Sequence, residues 1–449
     1  MHRDNEVANA FALRDGSNIA VIGGGPAGSF FSIFALKMAR MLDREFNITI
    51  FEPKDFTQDG PRGCNRCGGI ISELLVQTLA VEGINLPDSV IRKGIHSYKL
   101  HTNHGHVYIA TPDFERTIAT VYRGGGPKGM MKEGKESFDN FLLTQAVKEG
   151  AVHESLRIDR IEYKNKRPVL FSRNDEIMEA GLVVGAFGVN STTAKIFEDL
   201  GFGYKEPSTV TAAIVEIHMS KDIVLKYFGN SIHLFLLPDR GIKFAAMIPK
   251  GSYVTLCILG QNISAGIVND FLNKPVVKGV LPKTSSYSIE CRCLPKMNIR
   301  APKRPFADRL VMCGDAGSTR LFKDGLGAAY LMGKAAAKTA VFQGVSKEHF
   351  QKDYHPVYRS IVIDNYYGKY LYAIIDICRG NSILTKGMLS VVRKEQDIFF
   401  DRRKILSSIL WDMFTGNERY RNIFPKALDL RTHLSLWKES AKALVKGEI

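Results

Sequence analysis

Apolar residues recur along this chain with two different periods. Residues 18–22, Asn-Ile-Ala-Val-Ile, form a short apolar run that stops at a glycine cluster, which predicts a buried strand. Phe30, Phe31, Ile33, Phe34, Leu36, Met38 and Met41 then mark a buried helix reaching about residue 43. Pro26 suits its first turn, where a missing N–H costs nothing. Ile48 to Phe51 predict a second strand, ending at Glu52. Together these read as a β-α-β unit.

Further along, the pattern changes. From about 95 to 122 it alternates, with Tyr98, Leu100, Val107, Tyr108 and Ile109 as strand positions. Phe138 to Gly150 is an amphipathic helix, with Phe138, Phe141, Leu142, Gln145 and Ala146 near helical spacing. Leu182 to Ala186 is another buried strand, and 208–260 holds β-rich runs such as Thr209 to His218 and Val254 to Leu259. Leu310 to Cys313 is a strand entering a glycine turn, followed by a small-residue helix from about 326 to 342. From 355 onward the chain is mostly helical. Residues 57–70 and 123–137, rich in glycine, read as loops. No internal repeat is present.

Composition narrows the class. At 449 residues the chain is too long for one ordinary core. With 45% hydrophobic and 24% charged residues it is a folded protein, not a disordered one. The net charge of +15 would draw nucleic acid, anionic lipid or acidic cofactors. No block of five or more basic residues exists, so nucleic acid is not an expected partner. Residues 351–449 hold 17 Lys and Arg against 11 Asp and Glu, so the helical tail contributes about +6. Seven scattered cysteines do not form a secreted disulfide framework and fit a reducing cytoplasm. Residues 19–36 are uncharged, but the run Gly23-Gly24-Gly25-Pro26 argues against one continuous helix there. The preceding Asp4, Glu6 and Asp15 argue against a basic leader. The expected location is the cytoplasm, with peripheral membrane contact as the alternative to a free protein.

Gly23, Gly25 and Gly28 form a G-x-G-x-x-G turn between strand and helix. The first glycine permits the tight turn, the second lets backbone approach a pyrophosphate, and the third lets helix pack on strand. The helix that opens at Pro26 then offers free N–H groups from Ala27 onward and a positive dipole end. Glu52, 24 residues after Gly28, would accept both hydroxyls of a ribose. A second segment, Arg309 to Gly327, delivers Asp315 into a turn, where it would bond a ribityl hydroxyl. Gly325, Leu326 and Gly327 open a helix whose N–H groups would face the N1–C2=O edge of a flavin.

At this separation the two segments resemble the flavoprotein superfamily that includes aromatic hydroxylases and geranylgeranyl reductases, over roughly residues 17–345. The resemblance implies FAD as cofactor and a glutathione-reductase-type, two-part flavin site. The expected fold is α/β. A Rossmann-like FAD-binding domain would take 17–95, 137–204 and 298–345, and an inserted β-rich substrate domain 96–136 and 205–297. A helical region would take 346–449. Hydroxylases of the superfamily carry an aspartate in a further glycine motif linked to FAD and NADPH, and here Phe187 stands in its place within Gly185 to Ser191. An electron-carrier protein, a ferredoxin or another flavoprotein, is then the expected donor. Arg66-Cys67-Gly68-Gly69 resembles a loop near the flavin in geranylgeranyl reductases, which saturate C=C bonds of isoprenoid chains. The tryptophan-containing motif of that group is not evident, since only Trp411 and Trp437 are present.

Cys64 and Cys67 form a C-x-x-C pair. It reads as a redox disulfide, as Cys67 alone donating a proton beside the flavin with Arg62 and Arg66 favouring the thiolate, or as ordinary loop cysteines. No metal site is expected, because Cys291 and Cys293 lack zinc-ligand spacing. Arg123 precedes a glycine run without the G-K-[ST] ending of a P-loop, which reads as a flexible loop, with Arg123 a candidate cofactor contact. Phe228, His233, Phe235, Phe244 and Met247 are candidate walls for an apolar substrate pocket, or plain sheet core. Arg402 to Phe414 reads as an amphipathic membrane-surface helix or as a helix packed on the core. Three functions follow: an FAD-dependent reductase of C=C bonds, an NADPH- and O₂-dependent aromatic monooxygenase, or a flavin electron-transfer partner without turnover of its own.

Overall fold

The computed structural model describes residues 10–112, 117–130, 134–398 and 404–445. Asp4, Glu6, Arg402 and part of the 123–137 loop lie outside them.

The first strand, Ser17–Ile22, is the hub of a six-stranded sheet. It pairs in parallel with Phe46–Phe51 on one side and Leu182–Gly185 on the other. Val152–Glu154 and Leu310–Met312 extend the sheet, and short Phe306–Ala307 closes it as an antiparallel edge. Alternation along the first strand sorts its two covers. Ile19 and Val21 pack with helices Pro26–Arg40, Phe138–Lys148 and Gly325–Phe342. Ala20 and Ile22 pack under an antiparallel meander spanning Arg160–Glu179. A sheet buried on both faces explains why this strand is an unbroken apolar run. Helices Pro26–Arg40 and Gly325–Phe342 touch closely, with Tyr330 edge-on to Phe30 and Phe34 at 5.6 Å each.

A second sheet has seven strands, in the order Ser288–Cys293, Ala213–His218, Tyr253–Gly260, Ile242–Lys250, Ser231–Phe235, Ser97–Thr102, Gly105–Ala110. It is antiparallel except between Ser231–Phe235 and Ser97–Thr102. Its back face packs on helices Lys221–Phe228 and Ala265–Asn273. Its front face packs on Leu321 and on the helices of the tail.

Among those tail helices, Ile405–Thr415 is core. Ile409, Leu410, Trp411, Met413 and Phe414 are buried, Trp411 lies edge-on to Tyr98 at 5.1 Å, and its indole donates to Glu73 at 3.4 Å. Of the two readings of this stretch, packing on the core therefore holds. No helix among the described residues is long and apolar enough to cross a membrane.

Candidate functional site

The glycine turn is dictated by backbone crowding. Gly23 has φ +112°, and a side chain there would sit 2.4 Å from the Ala186 carbonyl oxygen. A side chain at Gly28 would fall 2.0 Å from the Gly23 carbonyl oxygen. Gly25 differs, because the nearest atom to an added Cβ is Asp139 Oδ1 at 3.8 Å. That face is open. Gly25 also caps the helix without any side-chain acceptor, so Ala27 and Gly28 keep first-turn N–H groups available to an anion.

Glu52 closes the other side of the turn. Its carboxylate accepts from the Gly24 and Lys54 N–H groups, each at 3.0 Å. Burial pushes its carboxyl up, and these two N–H groups pull it back down.

The distant segment arrives beside this turn. Leu310–Met312 delivers Gly314, where an added Cβ would lie 2.6 Å from the Ala27 Cβ. Asp315 follows and is half-buried; its desolvation raises its carboxyl, while the Arg123 charge and the Thr319 hydroxyl oppose the shift. Asp324 caps the helix Gly325–Phe342 from a left-handed backbone, φ +52°, accepting from Gly327 N at 3.1 Å. This cap takes the Gly327 N–H, so Gly325 and Leu326 carry the uncapped donors of the first turn.

Asp324 is itself held from outside. Arg320 donates to Asp324 Oδ2 at 3.0 Å and to the Gly416 carbonyl at 2.7 Å, and also reaches the Glu418 carbonyl. Its Nε lies 3.4 Å from Asp364, and its guanidinium lies over the Tyr420 ring. Burial and the neighbouring Arg320 charge hold Lys323 far below the ordinary lysine range. Arg320, Asp364 and residues 415–420 carried no recognisable signal in the sequence.

A third segment completes the site. Asp139, in the first turn of helix Phe138–Lys148, is fully buried and accepts from Arg123 Nε at 2.6 Å, Arg123 Nη2 at 3.2 Å and Asn65 Nδ2 at 2.6 Å. Asn65 in turn accepts from Lys54 Nζ at 2.8 Å. The remaining arm of Arg123 reaches Cys67 Sγ at 3.7 Å. Burial works against the charge of Arg123, but the Asp139 carboxylate outweighs it and keeps the guanidinium protonated. The cation at Cys67 is thus Arg123; Arg62 and Arg66, expected in that role, are both exposed. Asp139 was not singled out in the sequence, because its partner Arg123 lies across a loop.

Cys64 and Cys67 are free thiols, and burial pushes the Cys64 thiol up. Gly68 abuts the second sheet, where an added Cβ would meet Cys257 Sγ at 2.8 Å. The glycine run after Arg123 is zipped to the preceding loop and is not a free one. Gly125 donates to the Gly63 carbonyl at 3.0 Å, and a side chain at Gly125 would overlap the Gln58 carbonyl oxygen at 1.7 Å.

On the substrate side, Phe235 and Met247 belong to the back face of the second sheet, Phe228 ends the helix Lys221–Phe228 packed on that face, and the His233 ring lies tilted against Phe228 at 4.9 Å. These are sheet core. Phe244 lies on the front face but is enclosed by Phe322, Tyr372 and Phe414. Phe187 stacks on Phe197 at 5.0 Å, a packing role that an aspartate could not fill. Among the described residues no group of three His, Cys, Asp or Glu is arranged to hold a metal ion.

No protein-family model and no curated protein matches the sequence. Solved structures do match in fold. A geranylgeranyl bacteriochlorophyll reductase-like protein from Thermoplasma acidophilum is 15% identical, covering 97% of this chain and 98% of its own, with TM-score 0.60. The p-nitrophenol 4-monooxygenase of Pseudomonas putida DLL-E4 is 13% identical, with coverages of 91% and 100% and TM-score 0.59. The halogenase PltM, solved with phloroglucinol and FAD, is 13% identical, with coverages of 91% and 85% and TM-score 0.61. The chain has the fold of these flavoproteins.

Proposed function

We propose that this chain binds FAD and is an oxidoreductase that reduces a C=C bond of an apolar, isoprenoid or lipid-like substrate. One observation carries the reading. The glycine turn, the Asp315 turn and the Cys67 loop, separated by up to about 290 residues, converge on the buried Arg123–Asp139 pair. The residues fit the cofactor: Gly25 leaves its face open, the helix behind it has no side-chain cap, and two acids flank the turn.

In this reading Ala27 and Gly28 N–H groups hold the pyrophosphate and Glu52 holds the ribose. Asp315 holds the ribityl chain, and the N–H groups of Gly325 and Leu326 face the flavin ring. Arg66 and Gly68 flank the ring through their loop. FAD, when bound and reduced, supplies a hydride. Cys67 gives a proton to the neighbouring carbon and recovers it from water, with Arg123 beside its sulfur. The electrons return through a carrier protein, a ferredoxin or a second flavoprotein, since Phe187 occupies the position of the hydroxylase aspartate.

The test is anaerobic absorbance of the purified protein, before and after NADPH, then dithionite. A flavin band bleached by dithionite but not by NADPH is expected. Absence of a flavin band even with added FAD removes the cofactor assignment. Rapid bleaching by NADPH favours an aromatic monooxygenase. A flavin reduced only in complex with a partner, with no substrate turnover, favours an electron-transfer protein. Cys67→Ser is expected to keep the flavin band and lose about 10²-fold in turnover.

A further inference from the structure

We propose that the outer face of helix Leu430–Val445 seats this protein on an anionic membrane surface. The inner face of that helix is occupied. Ser440 lies against Gly387, where an added Cβ would fall 2.2 Å from its hydroxyl. Glu439 binds Lys394, Lys442 and the Ser390 hydroxyl. Thr432 and Leu436 roof a narrow apolar cavity shared with Ile375, Met388 and Met413.

The outer face carries Leu430, Leu434, Trp437, Ala441 and Leu444, at spacings of 4, 3, 4 and 3 residues. That spacing is one stripe of a helix. Leu430 is 70% exposed, Leu434 60%, Trp437 67% and Leu444 47%. A single exposed leucine needs no explanation, but an apolar row in register along one face does.

The charge beside the stripe selects the partner. Arg431, Lys438 and Lys442 lie along one flank at helical spacing, Arg431 beside Asp429 at 3.5 Å and Lys442 beside Glu439 at 2.8 Å. Glu439 is the sole acid of the helix, and it is turned inward to its lysines. Leucines with an indole on one side and cations on the flank match the boundary between lipid headgroups and acyl chains. Anionic headgroups neutralise such a flank, whereas a second copy of this chain would bring the same cations to it. The net charge of +15 acts in the same direction at longer range. None of this depends on the chemistry proposed for the flavin site.

The two tryptophans make the test direct. Trp411 is 1% exposed and reports the core, so a change on adding vesicles belongs to Trp437. The full chain is mixed with phosphatidylcholine vesicles and with vesicles that also contain phosphatidylglycerol, and followed by flotation and by emission maximum. Flotation with the anionic vesicles only, with a blue shift absent from Trp437→Phe, is expected. Leu434→Asp should abolish flotation and Leu434→Ser should weaken it, both with unchanged circular dichroism. Arg431→Gln with Lys438→Gln should bind about 25-fold more weakly, from about fivefold per surface cation. Absence of flotation overturns the proposal. So does flotation that both Leu434 variants leave unchanged, which would locate the contact elsewhere. A dimer in sedimentation that Leu434→Asp dissociates, without vesicle binding, would assign the stripe to self-association instead.

Discussion

The two halves of the nucleotide site are held in different ways. The turn at 23–28 is fixed by its own neighbourhood: Gly23 lies on the Ala186 carbonyl, Gly28 on the Gly23 carbonyl, and Glu52 accepts from Gly24. The turn at 315–327 is fixed from far away. Its cap, Asp324, depends on Arg320, and Arg320 depends on carbonyls of 416 and 418 and on Asp364. The first half is self-supporting, while the second is only as firm as the tail that grips it. The helical tail is therefore structural support for the site and not an appendage.

The largest effect should come from breaking the grip. Arg320→Met leaves Asp324 and Asp364 buried without their cation, a loss of about 3–5 kcal/mol. Denaturant unfolding of the cofactor-free protein measures it. A variant within about 1 kcal/mol of the parent, less than one pKa unit's worth of interaction, would erase the distinction between the halves. Next is Gly25→Val, whose added atoms enter the open face and meet little protein. FAD affinity, read by fluorescence titration, should fall about 100-fold, roughly 2.7 kcal/mol, while the unfolding midpoint stays put. A parallel drop in stability would mean that this turn also needs outside support.

Smallest is Asp315→Asn. Burial raises the Asp315 carboxyl, so the folded state holds that proton more tightly than the unfolded chain does. The stabilisation from the protonated form is present below the ordinary aspartate value of 3.8 and is lost as pH rises through the folded value. At neutral pH the ionised carboxylate is a cost that asparagine removes. The cofactor-free variant should melt slightly higher than the parent at pH 7, and the difference should vanish in acid. A gain that persists at low pH would assign the effect to packing.

Much of the candidate site's first turn was legible because its signal is local. Strand, glycine spacing and Glu52 lie within one stretch of chain, and Gly28 is demanded by the Gly23 carbonyl inside that stretch, whereas the crowding of Gly23 comes from Ala186 on a strand far away in sequence. The Arg123–Asp139 pair was not, since nothing local says which buried acid a distant arginine will meet. The pocket wall failed for another reason. The second sheet is buried on both faces, so alternation divides its residues into two sets without saying which set faces the site. Phe235 and Met247 lie on the back face, as the sheet-core reading had it, and Phe228 lies on a helix against that face. The tail helices gave periodicity but not partners, which is why Ile405–Thr415 kept two readings.

The packing of helix Gly325–Phe342 on Pro26–Arg40 also sets a timetable for synthesis. Phe30 and Phe34 are covered by Tyr330, which leaves the ribosome about 300 residues after them. At roughly 5–20 residues per second, that is on the order of 15–60 s during which the first helix lacks its cover. The strand Leu310–Met312 arrives equally late, so the central sheet cannot finish until most of the chain exists. A nascent chain arrested before residue 325 would present those aromatic rings to solvent, making it a natural client for chaperones and proteases.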